Sequence, residues 1–463
     1  MLGEGLCIPA ASTSLEGLDY AATITVRRRT GDPMRIPALP IEIETERLSL
    51  HPWRPEEALP FYQAIRESAE RVGKWLPWVQ YHTEPAVADF FIQQTREGWA
   101  NATELILGIF DRRTGAVLGG TGLHSAPHGS PLRWDWGSFE TGYWLRDGAE
   151  GHGYMREAVR AQMRLVFGHF GAHKLSIRCD ARNEPSRRVA ESLGFKLDVQ
   201  ARNDSIATDG TVRSSLIFSL LAVEAAELMA TWDDEYYRLV FDPAAPPIDF
   251  DPPSNHEEPV PEAERFPRPL RIESDRLILR RMELSDAPAW LAVVERSRAD
   301  LERWMSDFRR VHTLAEAEHE IGIAMADAEN RARYDLFAFE RDTGELIGGG
   351  ALHGFAWNVP AVEIDWWLDS QHTGKGYATE IGGMQAQFAL DAWGANRIEV
   401  WAEPGNAAST RVADRLGMQY EGIARAEYPN ADGTLSAWSI YSLIPSDLRD
   451  LAKPLPAITY TTD

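Results

Sequence analysis

Cysteine is nearly absent: Cys7 and Cys179 are the two in 463 residues. Two cysteines make no disulfide framework, and nothing in the sequence indicates an oxidising compartment. Neither lies in a C-x-x-C pair or a Cys/His group, so a structural zinc site has no support. Long apolar runs are missing too, since none approaches the ~18 residues of a membrane span. Positive charge is scarce. Lys and Arg number 47 against 70 Asp and Glu, a net charge of -23. Such a surface repels nucleic acid but not a cationic amine. Arg27, Arg28 and Arg29 have no apolar segment beside them. Residues 1–40 are therefore expected to be a tail and not a signal peptide.

What is present is the make-up of a soluble globular chain, 44% hydrophobic and 25% charged. Its length suggests more than one core. A long internal repeat organises it. Thr45-Glu46-Arg47-Leu48 resembles Ser274-Asp275-Arg276-Leu277, and Gly119-Gly120 through His124 resembles Gly348-Gly349 through His353. Both pairs are 229 residues apart. Gly151-His152-Gly153-Tyr154 then matches Gly374-Lys375-Gly376-Tyr377, now 223 apart, as do Asn183 and Ser186 with Asn406 and Ser409. The offset changes once, across a Pro-, Gly- and Ser-rich stretch (125–137) that reads as a surface loop. A period this long is a duplicated domain. The expected division is a tail (1–40), a first domain (41–221), a helix and proline-rich linker (222–268), a second domain (269–447) and a C-terminal tail (448–463).

Each half alternates strands and helices. In the first, the pattern predicts strands at 47–54, 104–111, 116–124, 139–145, 174–179 and 214–220. Helices are predicted at 55–67, 85–100, 152–169 and 185–193, with a further one at 223–239 before the linker. Helices between strands plus an antiparallel meander imply an α+β layered domain with a mixed sheet.

The strongest local motif is a strand, a glycine turn and a helix: Tyr143-Trp144-Leu145 before Gly151-x-Gly153-Tyr154, and Trp366-Trp367-Leu368 before Gly374-x-Gly376-Tyr377. Glycine lets backbone approach a ligand closely, and a helix N-terminus offers free N–H groups to a phosphate. One copy alone reads as an ordinary tight connection. Two copies, each followed by Asn-x-x-Ser and Leu-Gly, read as function. The P-loop Gly-Lys-Ser/Thr is missing, as is the G-x-G-x-x-G spacing of dinucleotide folds.

These motifs and their order resemble the GNAT acetyltransferase superfamily, and within it the RimJ/RimL-type ribosomal-protein alanine acetyltransferases. The resemblance covers roughly residues 41–221 and 269–444. It implies two tandem domains, each a mostly antiparallel twisted sheet with helices on both faces and a V-shaped splay between two parallel strands. It implies acetyl-CoA as co-substrate, no metal, and turn amides that hold the pyrophosphate. The cofactor-binding residues would be Gly151, His152, Gly153, Tyr154, Met155 and Asn183. In the second half they would be Gly374, Lys375, Gly376, Tyr377, Ala378 and Asn406. The family's Gln/Arg before the turn is replaced by Glu150 and Thr373, and Met155 replaces a small residue. The second turn, with Ala378 and Lys375, is thus expected to bind CoA at least as tightly.

Acetyl transfer to an amine requires loss of a proton from the ammonium, a stabilised oxyanion and a protonated leaving thiolate. The resemblance assigns the base to Glu140 and Glu363 and the acid to Ser186 and Ser409. The competing readings are a solvated strand carboxylate and helix capping by Asn and Ser. His124 and His353 form another matched pair, read as packed strand-end side chains. Tryptophans 75, 78, 134, 136, 304, 357, 366 and 367 are assigned to core or seam before an acceptor pocket. Cys179, in a strand, is expected to be inert, so attack is direct, in a ternary complex. The acceptor is a protein N-terminus or small amine. A cytoplasmic protein without membrane or nucleic-acid partners is expected, its halves packed as a pseudo-dimer, with homo-oligomers left open. The rival is a CoA-binding sensor or protein-interaction module with one or both halves catalytically impaired.

Overall fold

Strands buried on both faces and an apolar stripe on the helices build two copies of one layered unit. The computed structural model describes residues 34–125, 132–232, 236–245, 248–250, 265–427 and 434–463. In the first copy β1 (Met34–Ile36), β2 (Glu42–Thr45) and β3 (Leu48–His51) precede α1 (Ala58–Glu67), α2 (Ala69–Val72) and α3 (Pro85–Ala100). Then come β4 (Leu105–Asp111), β5 (Val117–Ser125), β6 (Ser138–Leu145), α4 (Tyr154–Met163), β7 (Lys174–Asp180) and α5 (Glu184–Ser192). The copy closes with β8 (Lys196–Ile206), β9 (Val212–Leu221), α6 (Ala222–Met229), β10 (Tyr237–Val240) and β11 (Ile248–Phe250).

The second copy opens with β12 (Pro269–Glu273), β13 (Leu277–Arg281), α7 (Ala287–Trp304) and α8 (Leu314–Glu329). It continues through β14 (Tyr334–Glu340), β15 (Leu346–Ala356), β16 (Ala361–Ile364), β17 (Trp367–Leu368) and α9 (Tyr377–Trp393). It ends with β18 (Arg397–Ala402), α10 (Ala407–Arg415), β19 (Gln419–Ala424), β20 (Trp438–Leu443) and β21 (Thr459–Thr462).

The first sheet runs β10-β2-β3-β4-β5-β6-β7-β9-β8, and the second runs β21-β12-β13-β14-β15-β16-β18-β20-β19. Each contains one parallel pair. β6 pairs β7 from Ser138 to Glu140, and β16 pairs β18 from Ala361 to Glu363. Past Glu140, β6 continues to Leu145 without β7 beside it, which opens the splay. Helices cover both faces. Leu105, Leu107 and Ile109 of β4 share a core with Ala158 and Val159 of α4, while Phe110 joins Phe61 and Ile65 of α1. A charge swap marks the duplication. Arg146 pairs with Glu67 in the first copy, and at the equivalent positions Asp369 pairs with Arg296.

The segments expected to be tail and linker carry strands. The helix predicted over 223–239 stops at Met229, and Tyr237–Val240 adds β10 to the sheet edge beside β2. β11 pairs with β1, inside the expected N-terminal tail, and β21 in the expected C-terminal tail pairs with β12. Hydrophobic side chains explain it: Trp232, Tyr237, Leu239 and Ile248 pack on the first core, and Leu451, Leu455 and Ile458 on the second. In the expected loop, Trp134 is buried and donates its indole N–H to Ala102 O (2.8 Å); residues 126–131 of that loop lie outside the described residues.

The halves meet edge to edge, β8 against β19, at Val199 and Gly422. Arg202 donates to Glu421 (3.3 Å) and to the carbonyl and hydroxyl of Ser442 (both 2.7 Å), and pairs with Asp447 (3.0 Å). Arg425 donates to Asp198 (2.6 Å) and to the carbonyl and hydroxyl of Ser219 (3.1 and 2.8 Å), and pairs with Glu224 (2.8 Å). Every member of the second set stands at the repeat offset from its counterpart in the first. That reciprocity is the contact rule of a two-fold interface. At its centre Gly422 has φ +144°, and a Cβ there would lie 1.9 Å from Asp198 O.

Candidate active site

The glycine turns share one support. Gly151 and Gly153 have φ +78° and +79°, and Gly374 and Gly376 +78° and +83°, where a side chain is strained. Gly153 and Gly376 each cap the following helix from the left-handed region. Arg47 donates to His152 O (2.8 Å), pairs with Glu157 (2.6 Å) and lies over the Tyr154 ring (4.8 Å). Arg276 repeats this with Lys375 O (3.2 Å), Glu380 and the Tyr377 ring (4.6 Å). The opening Thr-Glu-Arg-Leu motif therefore braces the turn from behind, and the N–H groups of the first helical turn stay available to an anion.

Glu150, expected to repel a polyanion, is ion-paired. Arg71 pairs with Glu150 (2.6 Å) and Asp147 (2.7 Å) and donates to Leu145 O (2.7 Å). One guanidinium shared between two carboxylates offsets the Glu150 charge only in part. Met155 is buried in the core and also reaches the cavity wall.

A cavity of 850 Å³ runs along the first-half splay. Gly151, Gly153, Tyr154 and Met155 line one end, Asn183, Ser186 and Cys179 the middle, and Glu140, Arg178 and Asp204 the other end. Asn183 Oδ1 accepts from Ser186 N (3.2 Å), so it caps α5, and its amide nitrogen is not used in that cap. Ser186 Oγ lies 3.1 Å from the Tyr143 hydroxyl. Burial pushes the Tyr143 hydroxyl well above its ordinary pKa and the Cys179 thiol up to about 11, so both hold their protons at neutral pH. Glu140 is buried opposite His124, and its carboxylate lies 3.7 Å from Arg178, which also pairs with Asp204 (2.9 Å). His124 in turn faces Glu104 (3.5 Å). Trp75 and Trp144 line the cavity; Trp144 also packs on Phe61 and Trp78, and Trp78 stacks on Phe91.

In the second half Asn406 caps Ser409 N (3.1 Å) in the same way. Glu363 again faces a histidine, His353 (3.7 Å), which lies 3.3 Å from Asp365. Burial pushes Glu363 up to about 7, with His353 opposing. Burial alone would lower His353, but Glu363 and Asp365 raise it. His353 is thus an ion-pair partner and not merely a packed side chain. Elsewhere Glu345, Asp369 and His372 approach one another, but Asp369 is already held by Arg296.

A sequence profile of the acetyltransferase (GNAT) domain matches residues 47–196 and 276–419. The chain is a tandem GNAT acetyltransferase. Its two matched segments start 229 residues apart and end 223 apart, as the repeat requires. It is an acetyl-CoA-dependent acyltransferase. It is 28% identical over 173 residues to YoaA of Bacillus subtilis, an uncharacterised N-acetyltransferase, covering 37% of this chain and 96% of that protein. It is 27% identical over 179 residues to the N-acetyltransferase p20 of Bacillus licheniformis, covering 37% and 95%. Among solved structures, ribosomal-protein-S5-alanine acetyltransferase from Vibrio fischeri is 18% identical, with 39% of this chain and 97% of that one covered and a TM-score of 0.36. Each of these spans about one half of the tandem chain.

Arg71, Tyr143, Arg178 and Asp204 escaped the sequence reading. Tyr143 lay inside a recognised motif, three residues along the same strand from Glu140. Arg71 and Arg178 look like surface charges until the fold turns them into the cavity.

Proposed function

We propose that this chain transfers the acetyl group of acetyl-CoA to a primary amine, of a protein N-terminus or a small molecule, by direct attack in a ternary complex. The observation that carries the reading is the single 850 Å³ cavity joining the Gly151–Met155 turn to Glu140 past Asn183 and Ser186. The turn amides and the α4 N-terminus hold the pyrophosphate, with Arg71 beside them. Glu140 takes the ammonium proton, directly or through one water. The freed amine attacks the thioester carbon, and a backbone N–H of the splayed strand stabilises the oxyanion. Ser186, its hydroxyl 3.1 Å from that of Tyr143, donates its proton to the departing sulfur and takes back the second proton that the amine nitrogen sheds as the amide forms. The two domains, residues 41–221 and 269–447, stand to one another as the subunits of a homodimer would. Glu363, Ser409 and the Gly374–Ala378 turn with Asn406 are the second-half counterparts.

The test is thiol release from acetyl-CoA in the presence of N-terminal peptides, polyamines and aminoglycosides, with mass spectrometry of the acceptor. Acceptor-dependent thiol release with one acetyl group added supports the reading. CoA binding without release from any amine favours the sensor.

A further inference from the structure

The halves differ at the floor of the acceptor end. In the first half Gly142, two residues past Glu140, sits opposite Gly122 in the β5–β6 ladder. Gly142 is exposed although it lies mid-strand, between buried Thr141 and Trp144. A Cβ built on it would meet only His124 Nε2, at 3.8 Å. Glycine inside a strand weakens it and marks a place where another molecule approaches the backbone. Gly142 thus leaves the sheet bare two residues from the candidate base and lines the cavity, while the Gly122 position is covered by Ile106.

In the second half the same two positions are Ala351 and Asp365. The Asp365 carboxylate accepts from Ala351 N (2.8 Å) and from Arg333 (2.9 Å), and it lies 3.3 Å from His353. Arg333 is held a second time by Asp335 (2.9 Å). The ladder is interrupted here, β16 ending at Ile364 and β17 resuming at Trp367. Arg178, next to Glu140, is replaced at the repeat offset by Trp401, which packs on the seam. The position that Gly142 leaves bare two residues past Glu140 thus carries, two residues past Glu363, the chain's own carboxylate tied to Arg333 and His353.

We propose that acetyl transfer is confined to the first half and that the Asp365–Arg333 pair closes the acceptor floor of the second. The inference rests on the first-half cavity being the transfer site. The second half then serves as a docked partner. Its Arg425 and the Asn396 carbonyl hold β8 and β9, the strands that carry Asp204 and Arg213 into the first-half wall.

The experiment measures acetyl-CoA turnover with the amine panel on the full chain, comparing the parent, Glu140→Gln and Gly142→Asp. CoA bound per chain is measured by calorimetry. Glu140→Gln removes the base at almost no change in shape. Gly142→Asp writes into the first half the carboxylate that the second half carries. Both are expected to lose about 100-fold or more in kcat/KM, the usual worth of a general base, while CoA still binds. A second working site would leave roughly half the turnover. Retention of that half by Glu140→Gln overturns the inference and leaves the acetyltransferase reading standing. Glu140→Gln decides the question even if Gly142→Asp fails to fold. A parent protein that releases no thiol with any amine overturns the reading itself, and the inference with it.

Discussion

Lys174 opens β7 at the point where the parallel pair begins, and its side chain is 2% exposed. Its ammonium meets the carboxylate of Glu427 from the second half, itself 6% exposed. Glu427→Gln strands that charge in a dry seam, which costs about 3–5 kcal/mol. At ~2–4 °C per kcal/mol for a domain of this size, the melting midpoint falls by roughly 10 °C. Replacing both partners by apolar residues of similar volume, Lys174→Met with Glu427→Leu, is neutral or stabilising by about 1–4 kcal/mol. The double variant is therefore expected to recover the loss that Glu427→Gln causes. Urea unfolding and calorimetry of the parent, the single variants and the double supply the cycle. If Glu427→Gln costs less than about 1 kcal/mol, the worth of a surface pair, the seam is wet and the reasoning fails.

Gly422→Val forces a side chain into Asp198 O, so the seam should open. Small-angle scattering is expected to show a larger radius, and an unchanged profile would contradict the role of this glycine. His173 stands at the seam with its Nε2 3.1 Å from Ala426 O, and burial lowers its pKa to about 4. Because the folded value is depressed, its contribution is present above pH 6.5 and lost as pH falls toward 4. Stability should drop across that window, and His173→Gln should flatten the drop in a pH series of urea midpoints. Arg47→Ala removes the brace behind the Gly151–Met155 turn, so calorimetry should find CoA affinity reduced by about tenfold, or ~1.4 kcal/mol. Equal affinity would mean that the turn holds its shape unaided.

The duplication and the glycine turns were legible because their signals are local. A left-handed glycine, an Asn cap three residues before its partner and a period-two strand are each written in a few adjacent residues. β8, β10 and β21 were not legible, because what makes them strands lies far along the chain. Lys196–Ile206 alternates weakly through Leu197, Val199 and Ala201 before a polar run, and its partners are β9 and the other half's β19. Arg202 and Arg425 stood in the sequence at the repeat offset, yet the contacts that bind them cross between halves. The pairing of Arg71 with Glu150 was hidden because it joins α2 to the glycine turn within the first half, 79 residues apart. Asp365 was visible as a residue, but its meaning came from the glycine it replaces and from Arg333, just before β14.

The central claim is that the first glycine turn seats acetyl-CoA for transfer at Glu140. Gly151 has φ +78° and open space before it, so Gly151→Trp both strains the turn and fills the pyrophosphate site. The measurement is acetyl-CoA-dependent acetylation of an amine by this variant, with circular dichroism showing that it is folded. The account predicts that transfer is lost. A folded Gly151→Trp protein that acetylates its amine at the parent rate would contradict it.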